Sequence, residues 1–483
     1  MRVVKGLLCA VVAVLVATPG VAVGQAAPAP NVVVEWSRIV QPAIHSAAEP
    51  RSQASSIVLH TIIQLAIYDA VMATEGGFEP FQTAVHAPRG ADVRAAVATA
   101  AYRTAKGRVA ASQHAYLDEK YTAFMAAIPD TKAKADGAAA GEAAAAGILA
   151  ARQNDNFSKT VPYSCSADPV PPGEFTPEGG CGTDTIDSKL PQVVPLTYTD
   201  PAQFRPPGPP ALTSEKWAQS FEETKTYGRK DSTVRTPEQT DVAYFWSEHA
   251  YVFWLRNLTD IAIAHNLNVR DTARFLAMTF TAAHDSAIAG FAAKYHFRAW
   301  RPRTAIPRAE EDGNPATVPD PTWTPLLSVN HPEYPSGHSF LVGAFTETMK
   351  TFFGTDQFQV TLTSNKATVP QLVKDTRTYA GPADIVREVD NARIWGGLHY
   401  RHSMDDGEAM GMAVARSVLA AHFRAVAPAP DKAATLPRTG ATHSGLLAAV
   451  GLACLGTGRI LVSGRVRRGP GRRRGRRRRG TRR

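Results

Sequence analysis

The chain has 483 residues, four cysteines and a formal net charge of +10. Thirteen arginines and no acidic residue lie between Arg459 and Arg483; with these, Arg2 and Lys5 set aside, the balance is about −5, so the basic total says little about substrate. The length is enough for a large buried core, and no Cys-x-x-Cys or Cys/His spacing points to zinc.

Residues 1–24 run from Arg2 and Lys5 through the apolar stretch GLLCAVVAVLVA to small residues around Ala22 and Gly24, the order of a signal peptide, which predicts export. Residues 25–153 predict an N-terminal helical bundle: ASSIVLHTIIQLAIYDAVMATE, VRAAVATAAYRTAKGRVAAS and AKADGAAAGEAAAAGILAARQ are alanine-rich or carry apolar residues at three- and four-residue spacing. Residues 154–214, dense in Pro, Gly, Ser and Asp, read as a long surface connection between two helical halves. Cys165 and Cys181 lie in this connection. Cys9 and Cys454 fall in the two end segments expected to be cut away, so the remaining pair, exported and in a Pro/Gly-rich loop, reads as a disulfide.

Residues 215–424 predict the second helical region, with NVRDTARFLAMTFTAAHDSAIAGFAAKYHF and SFLVGAFTETMKTFFG its clearest helices; alternating β patterns are scarce and no internal repeat stands out. Residues 425–435, AVAPAPDKAAT, read as a short linker. No hydrophobic run of the body reaches the length of a membrane span without a charge or a histidine inside it, so the body is expected to be soluble.

Residues 436–483 combine LPRTG, the apolar stretch GLLAAVGLACLG and the arginine run, which resembles a Gram-positive cell-wall sorting signal. The resemblance implies a sortase as partner, cleavage between Thr439 and Gly440, attachment to peptidoglycan, and membrane contact only through the unprocessed C-terminal segment. An arginine run can also be a nucleic-acid arm. An exported chain meets little nucleic acid, so a secreted, wall-anchored protein is the expectation.

Three stretches carry the chemistry. In AAKYHFRAWRPRTAI, Lys294 and Arg301 are seven residues apart, which on one ideal helix puts them within about 20° of the same face. Pro302 then stops the helix. Two cations so placed repel each other unless an anion sits between them, although a solvated basic face has the same pattern. In HPEYPSGHSF, Ser336 stands as an N-cap, and Gly337 lets an anion approach the backbone N–H groups of a helix start. His338 beside them can give or take a proton at neutral pH. In NARIWGGLHYRH, Arg393 adds a bidentate donor and His399 an imidazole. Six residues are about 120° off-face in an ideal helix, so these two converge only if Gly396 and Gly397 bend the chain or a helix ends there.

Together these stretches resemble the vanadium-dependent haloperoxidases and the related acid phosphatases of the type-2 phosphatidic-acid-phosphatase superfamily: Lys294 to Arg301-Pro302, Pro335-Ser336-Gly337-His338, and Arg393 to His399. RTPEQTDVAYFW (235–246) and RDTARFLAMTFTAAHDSAIA (270–289) look like the haloperoxidase branch as well. The resemblance implies an all-α fold of two helical bundles around one buried oxyanion site, with vanadate as cofactor. It implies that Lys294, Arg301, Ser336, Gly337 and Arg393 hold the vanadate or phosphate oxygens. His399 would be the axial vanadium ligand, or the nucleophile of a phosphatase, and His338 the acid–base group.

Two departures stand out. The family carries an aspartate four residues after the ligand histidine, where this chain has Ser403, with Asp405 and Asp406 just beyond. The carboxylate that in some relatives orients the acid–base histidine has no clear match; Glu248, Glu333 and Asp285 are the candidates. His331 falls where relatives carry an aromatic residue or a histidine near the halide. The reading is a haloperoxidase that oxidises halide with hydrogen peroxide, His338 removing a proton and Lys294 polarising the peroxide. The alternatives are a phosphatase that cleaves phosphate monoesters through His399, and a wall-anchored binding protein with a degenerate site.

Overall fold

The computed structural model describes residues 31–46, 50–183 and 185–426. The signal peptide, all but the first two residues of the linker, and the sorting signal with Thr439 and Gly440 lie outside the described residues.

The first half is built from α1 (Val32–Ile44), α2 (Gln53–Glu75), α3 (Val93–Arg108), α4 (His114–Ala126) and α5 (Lys132–Ala151). Side-chain caps start several of them: Ser52, Asp92 and Thr131 each accept an N–H of the first turn. α2 is apolar all round, and each residue from Ala54 to Ala73 is buried. It is long and apolar enough to cross a membrane, but protein covers it. Its polar side chains are spent internally: Gln64 Nε2 donates to Ser37 Oγ at 2.6 Å, and Asp69 accepts the N–H groups of Phe81, Gln82 and Thr83.

The second half holds α6 (Glu215–Gly228), α7 (Pro237–Phe245), α8 (Ala250–Ala264), α9 (Val269–Phe297), α10 (Pro302–Ala305), α11 (Gly337–Phe353), α12 (Pro382–Trp395) and α13 (Arg401–Ala421). The long helix α9 is the shared axis, packing on α2 on one side and on α11 and α13 on the other. The fold is therefore all-helical bundle. The exception is an antiparallel hairpin, β1 (Val360–Thr363) with β2 (Thr376–Tyr379), in register Val360↔Tyr379. Four-residue strands are too short to give a readable alternation; buried Arg377 of β2 reaches Asp241 at 2.8 Å.

The 154–214 segment is more than a surface connection. Phe175, Leu190 and Val193 are buried, and Asp285 of α9 accepts the N–H groups of Leu196 and Thr197 at 2.8 and 3.0 Å. Cys165 and Cys181 are disulfide-bonded within it. At the other end, Val426 N–H reaches Gly77 O at 3.1 Å, so the chain is still tied to the body where the linker was expected to begin.

Candidate functional site

Lys294 and Arg301 do come together, but not by sharing one helix face. α9 ends at Phe297, where Arg298 is left-handed (φ 53°) and its N–H returns to Lys294 O at 2.8 Å. The chain then runs extended, and Arg301 becomes the N-cap residue of α10, with Pro302 in the first helical position. Lys294 is fully buried and its Nζ donates to the carbonyls of Pro332 and Glu333 at 3.1 and 2.9 Å. Arg301 donates to His331 O and Leu398 O, both at 2.7 Å, and to His331 Nδ1 at 2.8 Å. His331 is thus held, half-buried, against the arginine.

Ser336 caps α11, its Oγ accepting from Ser339 N–H at 3.4 Å. A Cβ on Gly337 would stand 3.8 Å from Lys294 Cε, so the glycine keeps clear the space beside the lysine stem. His338 follows, half-buried, with the Trp246 carbonyl as hydrogen-bond partner; Arg393 Nη1 donates to the same carbonyl at 2.9 Å.

Arg393 and His399 converge because α12 ends between them. Gly397 has φ +71°, and Gly397 N–H and Leu398 N–H return to Ile394 O and Arg393 O at 2.9 and 3.0 Å, a Schellman-type stop. Only glycine fits: a Cβ would meet Gly228 O at 2.5 Å. His399 emerges beyond the stop with its Nε2 3.3 Å from Arg301 Nη1.

The carboxylate question resolves differently from expectation. None of the three candidates orients His338. Glu248 pairs with Arg256, and Asp285 holds His284 and the 196–197 backbone, so both are spent elsewhere. Glu333 is buried and its Oε1 lies 2.7 Å from His399 Nδ1. Arg301 Nη1 can only donate, so His399 Nε2 accepts with its lone pair and Nδ1 carries the proton toward Glu333, whose Oε1 also accepts Tyr400 N–H at 3.2 Å. The carboxylate at His399 is thus Glu333, and position 403 is a serine. Glu333 comes from a loop 66 residues earlier, which motif spacing cannot reveal.

Electrostatically the site is short of negative charge. Burial pushes Arg301 down to about 10, Arg393 down to about 9 and Lys294 well below its usual value, and the charge of Arg301 pushes Lys294 and Arg393 the same way. Burial also pushes Glu333 up to about 7 against the pull of Arg301 and Lys294. His338 and His399 are held well below the usual imidazole value, by burial first and then by these cations, so both are neutral near pH 7. Arg393 Nε is buried with no hydrogen-bond partner. Three buried cations, an unspent guanidinium N–H and a helix start suit a multiply charged tetrahedral oxyanion. Gly337, His338, Arg393 and His399 line a cavity of about 260 Å³; Lys294, Arg301 and Ser336 are buried but do not line it.

Residues 274–427 match the model of the VCPO second helical-bundle domain, a span that contains Lys294, Arg301, Ser336, Gly337, His338, Arg393 and His399. The fold is similar to that of a bacterial vanadium-dependent iodoperoxidase, with a TM-score of 0.67 at 21% identity over 82% of this chain and 96% of that one. A holo-type bacterial vanadium-dependent chloroperoxidase aligns with a TM-score of 0.61 at 17% identity, over 78% of this chain and 94% of that one. An apo-type bacterial chloroperoxidase gives 0.60 at 19%, over 75% and 93%. No curated protein matched the sequence. The class the chain represents is the vanadium haloperoxidase-like helical-bundle fold.

Proposed function

We propose that the protein is a vanadate-dependent haloperoxidase that uses hydrogen peroxide and one proton to oxidise halide to hypohalous acid, with release of water. The observation that carries the reading is the buried cluster of Lys294, Arg301 and Arg393 around His399. Its support is the fold shared with haloperoxidases. Arg301, Arg393 and Lys294 hold the oxyanion, with the Ser336 hydroxyl and the α11 N–H groups beside Gly337. His399 is the metal ligand through Nε2, kept in that tautomer by Glu333. Vanadate, when bound, supplies a Lewis-acid centre that activates peroxide toward halide without changing oxidation state. His338, neutral and beside Arg393, takes up and returns the proton.

A second reading is phosphate monoester hydrolysis. It is favoured by the Glu333–His399 pair, which is also how an imidazole nucleophile would be oriented and made more basic. Incubating the purified protein with orthovanadate and assaying bromide oxidation and phosphate-ester cleavage side by side separates the two. Ester cleavage that vanadate inhibits, with no halide oxidation, would replace the first reading with the second. For location, the order of LPRTG, apolar stretch and arginine run at 436–483 supports export and anchoring through Thr439. Equal release of wild type and Leu436→Ala into the medium would refute anchoring.

A further inference from the structure

Among the described residues His338 is backed by the end of a helix and by no carboxylate. α7 finishes at Phe245, and Trp246 is its C-cap residue. The last carbonyls of a helix have no partner within it and carry its partial negative charge. That of Trp246 meets donors from two other helices, Arg393 Nη1 of α12 at 2.9 Å and the ring of His338 in α11. A carbonyl only accepts, so the His338 nitrogen that faces it carries the proton, and in the neutral ring the other nitrogen is left with a lone pair. His338 lines the cavity beside the cage. The bond to Trp246 therefore decides which of its nitrogens can act as a base.

The carbonyl is held from the far end of its own residue. Trp246 is buried, its indole among Phe253, Trp254 and Phe245. Its Nε1 donates to Glu388 Oε1 at 2.9 Å, and the Tyr379 hydroxyl donates to the same oxygen at 2.6 Å. Glu388 lies on α12 as Arg393 does, and Tyr379 lies on β2. The hairpin grips α7 directly as well: Arg377 donates to Glu238 and Asp241 at 2.6 and 2.8 Å, and Asp241 accepts Val373 N–H at 2.6 Å. Trp246 is thus bonded to α12 twice, by its indole through Glu388 and by its carbonyl through Arg393, and cannot turn at one end without straining the bond at the other.

We propose that Trp246 is a positioning residue for the acid–base step: its indole, pinned by Glu388 and Tyr379, sets the carbonyl that fixes the orientation and tautomer of His338. The inference deepens the haloperoxidase reading and rests on it for the step that His338 performs.

The test has two readouts. Long-range proton–nitrogen NMR spectra of protein with nitrogen-labelled histidine, in which His338→Ala assigns the signal, report the His338 tautomer without any turnover. One tautomer is expected in wild type and a mixture in Glu388→Leu and Trp246→Phe, which keep the main chain and lose the anchor. In bromide oxidation, counted per vanadate bound, both variants should lose about tenfold in kcat, the worth of one hydrogen bond. The KM for peroxide should hold, because an interaction made only in the transition state lowers kcat and kcat/KM equally. Glu388→Gln, whose amide oxygen still accepts, should recover most of the loss. Tyr379→Phe, which removes only the second donor to that oxygen, should show a smaller change in the same direction and covers the case in which the other variants do not fold. A structural role alone would lower the urea midpoint and the amount of vanadate bound, but leave the tautomer and kcat per bound vanadate unchanged. That result, or a wild-type ring already in both tautomers, overturns the inference and leaves the haloperoxidase reading intact. A tautomer that shifts in Glu388→Leu, in protein that never oxidises halide, supports the anchoring of His338 and overturns the haloperoxidase reading.

Discussion

Replacing Arg393 by methionine should move stability and ligand affinity in opposite directions. In the free protein Arg393 is a buried cation, 3% exposed, facing Arg301 and matched by no carboxylate of its own. Replacing a buried ion pair by apolar residues of similar volume is neutral to stabilising by about 1 to 4 kcal/mol, and a buried cation with no carboxylate of its own has no pair attraction to lose. The main loss is the 2.9 Å bond from Nη1 to the Trp246 carbonyl, and that oxygen keeps His338 as a partner. The net sign is therefore stabilising. Toward the oxyanion, the edge of the guanidinium left over after Trp246 supplies two charge-assisted hydrogen bonds, each worth about 1.5 to 3 kcal/mol. Losing both should weaken vanadate binding about 10²- to 10⁴-fold. Urea unfolding without ligand and calorimetric titration with vanadate give the two numbers. A variant less stable than wild type would refute the charge argument, and unchanged vanadate affinity would remove Arg393 from the cage.

His399→Ala should abolish vanadate binding, whereas His338→Ala should keep most of it and lose about 10²- to 10⁴-fold in turnover; titration and a bromide-oxidation assay on both variants check this. His60 is fully buried and burial pushes it down to about 3, so between its unfolded value near 6.5 and pH 3 only the unfolded chain gains its proton and stability falls with falling pH. Urea midpoints across pH 6 to 5 should show His60→Gln losing about 1.4 kcal/mol per pH unit of that slope; an unchanged slope means that His60 already titrates in the folded state. Reducing the Cys165–Cys181 bond should cost roughly 3 kcal/mol by the chain-entropy account, measured as a shift in unfolding midpoint with and without reductant, and two free thiols in protein purified without reductant would contradict the pairing.

The helices were legible because their signal is local. Apolar spacing along 54–75 and 268–297 and caps such as Ser336 depend on residues within one or two turns. That Lys294, Arg301, Arg393 and His399 would be named together was legible for a different reason: the resemblance rests on motif identity, whatever path the chain takes. That path was misread at Arg301, where a left-handed Arg298 ends the helix before the arginine; most residues resist that conformation, and nothing in the spacing announces it. Glu333 was legible as a candidate carboxylate but was read toward His338; that it faces His399 instead, 66 residues further along the chain, is not written in any local pattern. The hairpin at 360–379 was missed because four residues are too few for a period.

Lys294 and Arg301 are gripped by backbone carbonyls, those of His331, Pro332, Glu333 and Leu398. These neutral oxygens fix both side chains while leaving their charge uncancelled. The conformational freedom of two long side chains is therefore surrendered when the chain folds, not when an anion arrives. On the proposed reading, an incoming oxyanion would meet a positive potential from side chains already fixed in place, so little of its binding free energy would be spent on ordering them.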